Sequence, residues 1–110
     1  MINIKIKRNS NGCVKSFTVK GHAYADEKGR DIVCASISIL AQTAVLALYE
    51  VADIDVVYEI EDGYLYCELP EEITEAKREK ADVIIATMLI GMKGTKEMYP
   101  DYISFQDEEV

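Results

Sequence analysis

The chain holds a single histidine, His22, and three cysteines, Cys13, Cys34 and Cys67. A cysteine attacks as its thiolate, so the useful question is which thiol has a neighbour that helps it lose a proton. Cys67 lies between Leu65 and Leu69 on an alternating segment and reads as a small core hydrophobe. Cys13 follows a turn and has no activating neighbour. Cys34 differs, because Asp31 reads as the N-cap of a helix. Cys34 would then be its third residue, where unpaired backbone N–H groups and the positive end of the helix favour a thiolate. The negative charge of Asp31 works against this in part.

His22 precedes Cys34 by twelve residues, across a polar stretch bracketed by Gly21 and Gly29. A histidine brought to the helix start would take the thiol proton and return it to a leaving amine, which is the chemistry of a cysteine protease. Asp31 reads as a cap more than as a third catalytic member. Ser38, one turn beyond Cys34, either lines the site or bonds back to the preceding turn. The spacing leaves two other readings open. In one, Cys34 is a redox thiol with Cys13 or Cys67 as its resolving partner. In the other, it is packing in a dimeric binding module.

The elements that must position these residues follow from the hydrophobic pattern. Ile2, Ile4 and Ile6 alternate with Asn3, Lys5 and Lys7, as in a half-buried strand. Arg8 to Gly12 are turn formers, and a second strand over about residues 13–20 sets Phe17 and Val19 on one face with Cys13. A loop of about ten residues follows, longer than the usual four to six. A helix is expected from Ile32 to about Glu50, with a stripe of Val33, Ile37, Leu40, Ala44, Leu48 and Val51. Its other faces are apolar too, so it is expected to pack against a sheet and a second subunit. Asp62-Gly63 joins a strand carrying Tyr58 and Ile60 to one pointing Leu65, Cys67 and Leu69 inward. A second helix starts near Thr74 and buries Ala81, Ile84, Ile85, Met88 and Met92, with Gly91 and Gly94 weakening its end. Tyr102 to Gln106 form a last short strand ahead of the acidic tail Asp107 to Glu109. The order ββαββαβ defines an α+β fold with a mainly antiparallel sheet, in a single domain over residues 1–110.

Composition narrows the partners. Twelve Lys and Arg against twenty Asp and Glu give a net charge of -8. That balance disfavours nucleic acid, which needs clustered cations, and suits a basic partner. One histidine and no C-x-x-C pair leave no metal constellation, and no cofactor is expected. Met1 opens directly onto a strand pattern with no secretory signal, so reduced thiols and a cytoplasmic location are expected. Residues 32–49 run without a charge. Their Ser36, Ser38, Gln42 and Thr43, with Asp31 and Glu50 flanking them without a Lys/Arg bias, favour a buried helix over a membrane span.

Taken together, Gly21-His22-Ala23, Gly29, Asp31-Ile32-Val33-Cys34-Ala35, Ser38 and Leu40 resemble the signature of the bacterial ribosomal-processing cysteine proteases. The likeness extends to Tyr99-Pro100-Asp101-Tyr102-Ile103. It implies that His22 and Cys34 form the catalytic dyad, in a homodimer with a mobile loop over the site. It also implies one narrow substrate, the basic N-terminal extension of ribosomal large-subunit protein twenty-seven, cut after a pair of phenylalanines before ribosome assembly. The backbone N–H groups opening the 32–50 helix, that of Cys34 included, are the oxyanion donors expected in this arrangement. Lys28 departs from the family pattern, in which an aromatic often precedes the second glycine.

Overall fold

The computed structural model describes residues 1–21 and 30–110, with side chains described from residue 32 onward after the gap. Its elements run β1 (Ile2–Arg8), β2 (Val14–Lys20), α1 (Arg30–Glu50), β3 (Val57–Glu61), β4 (Tyr64–Glu68), α2 (Glu75–Met98) and β5 (Ile103–Glu109). The expected ββαββαβ order and α+β class are both found. One five-stranded sheet has the order β3-β4-β2-β1-β5. Every neighbouring pair is antiparallel except β1 with β5.

The alternation of β1 puts Ile2, Ile4 and Ile6 into the core. The helices pack on each other and over this apolar face, where Phe17, Leu65, Cys67 and Ile103 join the same cluster. Each such side chain contributes roughly 1.5–3 kcal/mol by leaving water. In β2 the phase expected from Cys13 fails. The β1–β2 register shifts between Lys7 and Arg8, so that Lys7 faces Ser16 while Arg8 faces Val14. This bulge inserts an extra residue, and Val14, not Cys13, shares the buried face with Phe17.

Helix α1 buries Val33, Ile37, Ala44 and Leu48 as expected, and Ala41 and Val45 with them. Val51, assigned to the same stripe, is exposed because the helix has ended. Asp53 then takes the left-handed conformation (φ 55), while the Ile54 N–H donates to the Leu48 carbonyl at 3.0 Å, closing the helix end. Residues Ile32–Glu50 are long and apolar enough to cross a membrane by length and composition, and a third of that window is buried inside the fold.

Thr74 caps α2, its hydroxyl accepting from the Lys77 N–H at 3.2 Å. Ala81, Ile85, Met88 and Met92 are buried with Leu89, and Ile84 is half-buried. The glycines do not end this helix, which continues to Met98. Gly91 is there for contact: a Cβ would press on the Leu40 side chain of α1. Strand β5 also runs further than expected, through the acidic residues. Its parallel partner β1 supplies the counter-charges, with Arg8 gripping both Asp107 oxygens at 2.8 and 3.0 Å and Lys5 3.9 Å from Glu108.

Candidate active site

The site is assembled where β2 leaves the sheet. Val19 and Lys20 pair with Leu65 and Tyr64 of β4, and the Gly21 N–H donates to the Gly63 carbonyl at 2.9 Å. Gly21 has φ +114, and a Cβ there would collide with the backbone oxygen of Met1. Glycine at this position is therefore demanded twice, by conformation and by contact. The strand exit that leads to His22 is thus pinned between the N-terminal strand and the 62–63 turn.

Above this corner passes the first half of α1. Cys34 is half-buried and packs against the core, while Ser38, one turn on, is exposed. Both open onto a cleft shared with Gly21 and Gln42 on one side and Ile60, Glu61 and Tyr64 on the other, floored by Val19 and Leu65. Ser36, and not Ser38, donates its hydroxyl back to the preceding turn, to the Ile32 carbonyl at 2.7 Å. The Ser38 hydroxyl is left to the cleft.

Of the residues singled out from sequence, the structure brings Gly21, Cys34 and Ser38 into one cleft. His22 and Gly29, and with them most of the expected loop, lie outside the described residues. Asp31 is corrected: α1 begins at Arg30, so Asp31 is its second residue and not its cap. The same shift makes Cys34 the fifth helical residue. At that position the backbone N–H is already a rung of the helix. The oxyanion role expected of the Cys34 N–H therefore does not fit its place in the helix.

The other thiols are elsewhere. Cys67 is fully buried, and burial pushes its thiol from 9.0 up to about 12. Cys13 stands ahead of Val14, at the opposite end of β2 from Gly21, a separation of roughly 20 Å along a seven-residue strand. Cys13 is therefore not placed to resolve an oxidised Cys34. All three cysteines are thiols. No metal-holding group of His, Cys, Asp or Glu is found among the described residues.

The sequence reading missed the far wall of the cleft. The Asp62-Gly63 turn was legible, but Ile60, Glu61 and Tyr64 carry no chemical signature. Nothing in the pattern pairs β4 with the exit of β2.

A half-buried cysteine on an early helical turn, opening onto a cleft at a sheet corner, is accessible to a bound ligand. Comparison with known proteins narrows this. The family model for cysteine protease Prp matches residues 1–104. The ribosomal processing cysteine protease Prp of Bacillus subtilis (strain 168) is 32% identical over 103 residues, covering 92% of each chain. The crystal structure of SMU.848 from Streptococcus mutans superposes with a TM-score of 0.86 at 31% identity, covering 100% of this chain and 96% of that one. The ribosomal processing protease Prp from S. aureus, solved with a covalently linked product peptide, gives 0.82 at 26% identity, covering 98% and 100%. The chain belongs to the cysteine protease Prp family, and it is a cysteine protease.

Proposed function

We propose that this protease removes the N-terminal extension of ribosomal large-subunit protein twenty-seven in the cytoplasm, with Cys34 as nucleophile and His22 as general base. The observation that carries the reading is the position of Cys34 in an open cleft beside the Gly21 corner, one residue from His22 in sequence. Relatives named for ribosomal processing support the substrate class. His22 takes the Cys34 proton, and the thiolate adds to the peptide carbonyl. Collapse expels the amine as His22 returns the proton, and water then hydrolyses the acyl-enzyme. The first-turn amides of α1 at residues 30–32 are the donors suited to the developing oxyanion. A homodimer suits the apolar residues left exposed on the two helices, Ile39 and Leu46 on α1 and Val83 and Ile90 on α2.

The test is a peptide spanning the extension, with product N-termini followed by mass spectrometry. Cys34→Ala is expected to abolish cleavage without unfolding the chain, and His22→Ala to slow it by about 10²–10⁴-fold. Near-normal turnover by either variant removes the dyad. Replacing the phenylalanine pair with alanines is expected to cost at least about tenfold. Equal cutting of the two peptides rejects the assigned substrate.

A further inference from the structure

Helix α1 presents Cys34, Ile37, Ser38, Ala41 and Gln42 to the cleft. Ile37 and Ala41 are buried beneath it, while Ser38 and Gln42 are exposed. Cys34, Ser38 and Gln42 follow one another at i, i+4 and i+8, a single ridge along the helix. Besides the thiol, Ser38 and Gln42 are the hydrogen-bonding side chains that α1 offers here. Among the described residues neither the Ser38 hydroxyl nor the Gln42 carboxamide is bonded to another group of the chain.

A peptide lying in this cleft meets a helix whose backbone groups are already paired with each other. Its own N–H and C=O groups are met from that wall only by side chains. The spacings match. Four residues of α-helix rise about 6 Å, and two residues of an extended chain advance about 6.8 Å. In an extended chain the N–H and C=O of one residue point to the same side, and every second residue repeats that direction. With the carbonyl of the residue before the cut at Cys34, the third residue from the cut stands level with Ser38 and the fifth with Gln42. The mismatch over both steps is only about 2 Å. A carboxamide offers an acceptor and donors, as a peptide group does, so Gln42 suits both the N–H and the C=O of the residue it faces. The half of the substrate that stays on Cys34 as the acyl-enzyme is the half that needs such a track. It must hold its place while the amine half leaves and water enters.

Resting on the protease reading above, we infer that Gln42 is a substrate-binding residue that hydrogen-bonds the backbone of the fifth residue before the scissile bond. Recognition at this point is of the main chain. It selects an extended segment of at least five residues ahead of the cut, whatever side chain stands fifth.

The test uses the full chain and three synthetic peptides, each with six residues ahead of the cut and the phenylalanine pair in place. One is unmodified, one is N-methylated at the fifth residue from the cut, and one at the fourth, whose N–H points away from the helix. Gln42→Ala and methylation of the fifth residue are each expected to lower kcat/KM roughly 3–10-fold, mainly through KM. Together they should cost no more than either alone. Methylation of the fourth residue should cost the same in Gln42→Ala as in the wild type. Iodoacetamide labelling of Cys34 should keep its wild-type rate in the variant. If Gln42→Ala cuts every peptide as the wild type does, the inference is overturned and the protease reading stands. Losses that multiply when variant and fifth-residue methylation are combined make Gln42 a support of the helix, and also overturn it. If the wild type does not cut even the unmodified peptide, the substrate reading fails, and this inference fails with it.

Discussion

Cys34 and Cys67 carry the same side chain in the same small fold and have opposite fates. Cys67 sits mid-strand in β4, between the core and its paired neighbours β2 and β3, with no exposed surface. Burial there costs the thiolate its hydration, so the thiol stays protonated and unreactive. Cys34 is half-exposed on the second turn of α1, where the helix passes the open end of the sheet. Access to a thiol in this molecule is decided by where an element stops covering its neighbour.

The sharpest way to break that contrast is to alkylate both thiols in the folded protein. Iodoacetamide at neutral pH should label Cys34 faster than Cys67 by roughly 10³-fold or more, because Cys67 must wait for an opening of the core that costs several kcal/mol. Mapping the labelled peptides over time measures the ratio, and denaturant should collapse it. Comparable rates in the native state would mean that the two environments are not distinct.

A second perturbation should reach one thiol and spare the other. Gly21 holds the site corner at φ +114 against Met1, far from the middle of β4. Gly21→Ala is expected to lower stability by about 1–3 kcal/mol from backbone strain, with a further loss from the displaced β1 start. Cleavage and the labelling rate of Cys34 should change with it, while Cys67 stays protected at low denaturant. A variant with wild-type melting and wild-type activity would show that the corner does not depend on this glycine.

The same contrast explains what the sequence could and could not disclose. Period-two alternation and the Asp62-Gly63 turn identify the strands, because side chains on a pleat must alternate and a tight turn needs Gly63 at positive φ (73). The bulge at β2 is invisible to that pattern: an inserted residue changes the phase without changing composition, and Val14 replaces Cys13 on the buried face. The charges of β5 look like a solvated tail until Arg8 and Lys5 are placed beside them. For the site, Gly21, Cys34 and Ser38 are legible because they share one stretch of chain and their types have few other uses together. Ile60, Glu61 and Tyr64 reach the cleft only through the β2–β4 and β4–β3 pairings, and long-range pairing leaves no local mark.

The smallest effect concerns pH, and it tests Cys67 from the side of stability. Its thiol is raised from 9.0 to about 12 by burial alone. Below pH 9 the thiol is protonated in the folded and unfolded chains alike and contributes nothing to pH dependence. Between 9 and about 12 the unfolded chain releases this proton while the folded chain keeps it. Ionisation therefore favours unfolding, and the stability present below pH 9 is lost as pH rises through that window, with a limiting slope of about 1.4 kcal/mol per pH unit for one proton. Tyr66, also raised by burial and by Glu68, adds its own alkaline loss. Comparison of the wild type with Cys67→Ala cancels that contribution, since Tyr66 is common to both. Denaturant midpoints measured from pH 8 to 11 should fall more steeply in the wild type, by up to one proton's worth. Parallel curves would mean that water reaches Cys67 in the folded chain, and the contrast with Cys34 would then rest on geometry without desolvation.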